Sequence, residues 1–238
     1  ARTFKEGQAM ITPFYMFIML PLMFLQVPGL KLSWSLALLP VVNVTLMVRA
    51  VMAGTAGTVL TTSDGGLRWS VLQGVSDRNL DIKALYFLDG LRGYAVGDSG
   101  TILYTSNGGA SWVKRSSSIR TIAFNDVTFA TSSLGWIVGD NGVILRTTSG
   151  GTTWEPQQTP TFRNLFSVHY NSQTSVFASG QLGTIIRSSN GGAVWDTMPP
   201  PSLFDFRDIH FVVPTYGILA AARGNAYRTL DTAASWQR

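Results

Sequence analysis

Gly97-Asp98-Ser99-Gly100-Thr101-Ile102-Leu103-Tyr104-Thr105-Ser106-Asn107-Gly108-Gly109-Ala110-Ser111-Trp112 is the clearest copy of a phrase that recurs five times in this 238-residue chain. The copies end at Trp69, Trp112, Trp154, Trp195 and Trp236, which are 43, 42, 41 and 41 residues apart. Twelve residues before each tryptophan stands a glycine: Gly57, Gly100, Gly142, Gly183 and Gly224. Thirteen residues before each later glycine stands an aromatic, Phe87, Phe129, Tyr170 or Phe211. Register is therefore held through a whole unit. A period in the low forties with short strand patterns predicts an all-β chain, a partial β-propeller of four-stranded blades.

Each full unit reads as strand a ending near the aromatic, strand b such as Gly135-Trp136-Ile137-Val138, a Gly-x-x-Gly turn, strand c such as Thr101 to Tyr104, and strand d after the tryptophan. Full blades are expected over 80–116, 122–158 and 163–199, with only strands c and d in 57–73 and with 206–238 stopping as strand d begins. Between c and d lie Asp64-Gly65-Gly66, Asn107-Gly108-Gly109, Ser149-Gly150-Gly151 and Asn190-Gly191-Gly192. A short polar side chain accepts from the following amides while the glycines take positive φ. Thr105, Asn107, Gly109, Ser111 and Trp112 resemble the Asp box, or BNR repeat, of sialidase-like propellers. The fifth copy, Thr229 to Trp236, lacks both glycines, and its turn geometry is in question.

The first 55 residues differ in kind. Met10 to Gly29 is uncharged and largely apolar, long enough for the ~20 residues of a membrane crossing. A second apolar run, Ser33 to Val48, contains Pro40 and Asn43. One or two transmembrane helices are expected over residues 10–53, placing the repeats outside the cytoplasm after one span and inside after two. The strings at Lys5 to Gln8, Pro28 to Leu32 and Pro40 to Leu46 resemble ABC-transporter permeases of the sodium-efflux type. The division is then a permease-like segment, 1–55, and Asp-box repeats, 56–238. Gly54-Thr55-Ala56-Gly57 belongs to both patterns, which suggests a fusion, and the incomplete blade count suggests a fragment of a longer chain.

Chemistry is sparse. The chain has no cysteine, only four lysines, and a net charge of +5, a modest field that favours acidic partners and carries no dense nucleic-acid stripe. With glutamate only at Glu6 and Glu155, a sialidase-like site is not visible. Asp98 and Asp140 are the best-placed acid pair for a glycosidase, but both sit in b–c turns, where turn formation accounts for them. His169 and His210 occupy equal positions on adjacent repeats with no carboxylate cluster, and neither a metal nor a cofactor is expected. Arg146, Arg187 and Arg228 each stand four residues after an anchoring glycine. Equivalent positions on successive blades point alike, so the three guanidiniums form an arc suited to gripping carboxylates. The competing account is that each satisfies groups within its own blade.

Residues 135–154 resemble the repeated phrase of the photosystem II stability/assembly factor group, and the resemblance extends over about 54–238. It implies a non-enzymatic, membrane-associated scaffold that binds a protein partner, an acidic segment or a membrane protein, with Arg146, Arg187 and Arg228 as candidate contacts. The alternatives are a glycan-binding or glycosidase-like propeller, and a permease fragment joined to unrelated repeats.

Overall fold

The computed structural model describes residues 59–61, 67–68, 70–72 and 81–238. The expected membrane segment, the permease-like stretch, Gly57 and Trp69 lie outside the described residues. Among those described, no helix is long and apolar enough to cross a membrane.

Among the described residues, seventeen strands form five antiparallel sheets in chain order. Blade 1 contributes β1 (Val59–Thr61) and β2 (Ser70–Leu72). Blade 2 holds β3 (Ile82–Phe87), β4 (Gly93–Gly97), β5 (Thr101–Thr105) and β6 (Val113–Arg115). Blade 3 holds β7 (Phe124–Phe129), β8 (Gly135–Gly139), β9 (Ile144–Thr147) and β10 (Glu155–Pro156). Blade 4 holds β11 (Leu165–Tyr170), β12 (Val176–Gly180), β13 (Ile185–Ser188) and β14 (Asp196–Thr197). Blade 5 holds β15 (Phe206–Val213), β16 (Tyr216–Ala221) and β17 (Asn225–Thr229), and its fourth strand begins as a bridge from Arg228 to Gln237. The full blades fall where the repeat spacing predicts them.

The cores lie between sheets. Along strand b, alternate side chains face the blade before and the blade after, so β4, β8 and β12 are buried at every residue. Tyr94, Val96 and Ile102 of blade 2 meet Phe124, Val127, Phe129, Ile137, Leu145 and Trp154 of blade 3, and the same meeting recurs at the next two junctions. β16 alternates instead, with Ile218 and Ala220 exposed, because its trailing face has no cover among the described residues.

Inner strands β3, β7, β11 and β15 stand side by side and are tied at the repeat interval. The Tyr86 hydroxyl donates to the Phe129 carbonyl (2.9 Å), His169 Nε2 meets the Phe211 carbonyl (3.1 Å), and Asn171 Nδ2 donates to the Pro214 carbonyl (2.7 Å). The Val168 amide donates to Asp126 (2.8 Å), and Ser167 Oγ donates to Asp208 (2.8 Å). Desolvation pushes the Asp126 carboxyl up to about 7, against the amides that donate to it and with the nearby Asp208 charge adding to the rise. Burial and the neighbouring His210 draw His169 down to about 4, so its ring is neutral at pH 7 and donates through Nε2.

The b–c connections are 3-10 turns in which two consecutive residues are left-handed: Ser99-Gly100, Asn141-Gly142, Leu182-Gly183 and Arg223-Gly224. The anchoring glycines at 100, 142 and 183 have a second constraint: a Cβ there would overlap the carbonyl of Ile119, Thr161 or Ser202 in the linker entering the next blade. Gly224 meets nothing, again because blade 5 is open on that side. The fifth Asp box keeps its geometry without glycine. Thr232 and Ala233 take φ of 59° and 64°, the Ala233 amide donates to Thr229 Oγ1 (3.0 Å), and the Ser235 amide donates to Asp231 (2.9 Å). The Ser235 hydroxyl and amide hold the Asp231 carboxyl down at about 2.

Candidate functional site

Arg146 and Arg187 lie on strand c of blades 3 and 4, opposite Trp136 and Phe177 on strand b and opposite Glu155 and Asp196 on strand d. Arg228 holds the same place in blade 5, opposite Ile218 and Gln237. The Arg146 side chain reaches the following blade. Arg146 lies along the Gly191-Gly192 turn, its Cδ 3.4 Å from where a Cβ on Gly192 would stand. The Arg187 guanidinium sits over the Phe177 ring at 5.4 Å. Arg146 and Arg187 are half-buried and Arg228 is exposed, the difference being the open face of blade 5.

Glu155 and Asp196 stand directly across from Arg146 and Arg187, yet no ion pair joins them; the pairs found among the described residues are Lys83–Asp98, Arg92–Asp89 and Arg207–Asp205. The Nε atoms of Arg146 and Arg187 are buried without a hydrogen-bond partner among the described residues. A charged donor left so costs more than a paired one. One further residue joins the row. In blade 2 the strand-c position is Tyr104, and Arg115 on strand d lays its guanidinium over that ring at 4.8 Å, its Nε also unpartnered. Sequence spacing missed Arg115 because it arrives from a different strand.

Arg163 and Arg207 occupy the far end of the blades, whereas Arg92, in the a–b turn of blade 2, is paired with Asp89. Arg163 donates to the Leu182 carbonyl in a b–c turn (2.9 Å), and the Arg207 guanidinium covers Phe166 at 4.5 Å. The strand-c row stands beside the c–d turns, at the opposite end of strand c. The acid pair is engaged: Asp98 pairs with Lys83 (3.0 Å), and Asp140 accepts from Asn125 Nδ2 (2.8 Å). Both border a shallow, open depression of about 330 Å³ between blades 2 and 3. His169 and His210 are neighbours, with ring centroids 4.3 Å apart, and no third ligand-type side chain completes a cluster among the described residues.

A family model described as Photosynthesis system II assembly factor YCF48 matches residues 74–159 and 119–238. The chain belongs to this family. The match leaves the permease-like residues outside it. Among solved structures, "YCF48 bound to D1 peptide" superposes with a TM-score of 0.56 at 24% identity, covering 66% of this chain and 52% of that one. YCF48 from Cyanidioschyzon merolae gives 0.55 at 20%, covering 66% and 55%. The Niastella koreensis GH74 enzyme gives 0.62 at 14%, covering 77% and 34%. At these identities the superpositions speak for the fold, and this chain spans about half the length of the YCF48 structures. No curated protein matches the chain.

Proposed function

We propose that the chain is a non-catalytic, membrane-associated scaffold of the photosystem II assembly-factor kind, and that the strand-c row grips an acidic segment of a membrane-protein partner. The observation that carries this reading is the row itself: Arg146, Arg187 and Arg228 at one position of successive blades, free of ion pairs although carboxylates stand across from two of them. Guanidiniums held by packing rather than by counter-charges offer bidentate donors to an incoming carboxylate at little cost in side-chain order. A solved relative of the family holds a D1 peptide, which makes that peptide the first ligand to try. In this reading residues 10–53 anchor the chain. A glycosidase reading has less support, since Asp98 and Asp140 are both engaged by side chains of the inner strands.

The test is fluorescence anisotropy of a labelled D1 peptide titrated with the full chain and with a triple Arg146→Ala, Arg187→Ala, Arg228→Ala variant whose far-UV circular dichroism is unchanged. The proposal expects at least a ~10-fold loss of affinity, as truncation of buried charged contacts produces. Equal binding by both proteins would make the arginines structural, and hydrolysis of a glucan that depends on Asp98 or Asp140 would reverse the order of the two readings.

A further inference from the structure

At the b–c end of blades 4 and 5, three apolar side chains project where other blades carry polar ones. Leu182 is half exposed at 50% in the left-handed region, with φ of 53°, at the place of Ser99 and Asn141. A leucine there gains neither burial nor an easy backbone, and such a conformation is costly for a bulky residue. Phe162 is 92% exposed and Leu203 75% exposed, at the linker position held by Arg120 in the preceding blade.

The three lie on the same end of the blades, at successive b–c turns. The Phe162 Cα lies 3.2 Å from where a Cβ on Gly142 would stand, in the b–c turn of blade 3, the Leu203 Cα lies 3.2 Å from where a Cβ on Gly183 would stand, and Arg163 Nη1 links the two turns by donating to the Leu182 carbonyl (2.9 Å). The Leu182 amide donates to Asp205 (3.0 Å), fixing the next linker against the same turn. Cations surround the apolar tips. Arg163 and Arg223 have no carboxylate partner among the described residues, while Arg207 is paired with Asp205. Arg223 lies over the Phe204 ring at 5.6 Å.

We propose that this end of blades 4 and 5 docks on an anionic lipid surface, with Phe162, Leu182 and Leu203 entering the headgroup boundary and Arg163 and Arg223 meeting lipid phosphates. The shape favours lipid over a peptide ligand, because the apolar groups protrude from the turns, exposed at 50% to 92%. The charge favours an anionic leaflet, where each basic side chain at the surface adds attraction. This surface stands opposite the strand-c row, so docking leaves Arg146, Arg187 and Arg228 clear of the lipid.

Because the chain has no cysteine, single labels report position directly. The full chain carrying Leu203→Cys or, on the c–d turn of blade 3, Thr148→Cys would be labelled with an environment-sensitive NBD fluorophore. It would then be mixed with vesicles of phosphatidylcholine alone or with phosphatidylglycerol. The expected result is a blue shift and at least twofold quenching by spin-labelled lipid at position 203, on anionic vesicles only, with position 148 unchanged. This comparison separates docking by the propeller from any anchoring by residues 10–53, which would carry both labels to the vesicle alike. Adding Phe162→Ser and Leu182→Asn should abolish the signal at 203 while thermal stability stays level or rises, since asparagine suits the left-handed turn. Equal signals at 203 and 148, indifference to lipid charge, or a signal that survives the double substitution would each overturn the proposal.

Discussion

Gly151 and Gly192 show how one residue of an Asp box is chosen by the blade before it. A Cβ at Gly151 would overlap the Tyr94 ring and hydroxyl, and one at Gly192 would overlap the Trp136 indole nitrogen. In the fifth copy the facing residue is Phe177, which has neither hydroxyl nor indole, and there the turn takes Ala233, fully buried beside it. Gly192→Ala should therefore destabilise by about 1–3 kcal/mol through overpacking, and pairing it with Trp136→Phe should return part of that loss in a urea-denaturation cycle. At Thr232, φ of 59° carries a left-handed penalty of roughly 1–2 kcal/mol. Thr232→Gly should raise the urea midpoint, and no change would mean that the turn is not strained. A third residue gives a pH test. With a folded pKa of about 7 against an ordinary value near 4, Asp126 binds a proton more tightly in the folded state, so its contribution to stability is present at low pH and falls as pH rises from about 4 to 7. His169, drawn down to about 4, acts in the opposite sense, adding stability as pH rises from about 4 to 6.5. The two contributions oppose each other across that window. Asp126→Asn, measured from pH 4 to 7, should become more stable relative to wild type as pH rises, and a constant difference across that window would refute the assignment.

Strands were the most legible part of the sequence, because each blade repeats its aromatics and glycines at a fixed offset. The blades over 80–116, 122–158 and 163–199 needed nothing beyond that periodicity, and the tryptophans Trp154 and Trp195 are buried between sheets as their spacing implies. The arginine row was legible in position and not in partners: whether Glu155 or Asp196 would neutralise it depends on side-chain direction, which spacing does not carry. Arg115 was hidden because its guanidinium reaches the row from strand d. The strand-b residue opposite the arginine position, Tyr94, Trp136, Phe177 and Ile218, does recur at the repeat interval, and the role of the first three emerges only when the next blade is seen packed on them. That role makes a prediction for these elements. Trp136→Ala should cost about 3–5 kcal/mol, the range for a large buried aromatic, whereas Ile218→Ala, on the open face of blade 5, should cost less than about 1 kcal/mol, as surface substitutions do. Similar losses at both sites in chemical denaturation would show that blade 5 is covered in solution.

For the whole molecule, two ends of one set of blades carry different chemistry. The c–d end holds arginines without counter-charges, and the b–c end holds projecting apolar tips with further arginines around them. The open trailing face of blade 5 sets a gradient on this body. Among the described residues, blades 3 and 4 are clasped on both sides while blade 5 is held by blade 4 alone, and in repeat architectures each unit is stabilised by its neighbours. Amide hydrogens should therefore exchange soonest in β16 and β17 and later toward β8 and β9, as local opening precedes global unfolding. Arg228 rides on the unit that opens first, and Arg187 on one that does not. A ligand bridging the two would slow exchange in blade 5 far more than in blade 3, so a partner's arrival could be followed, without any label on the partner, as the quieting of one blade.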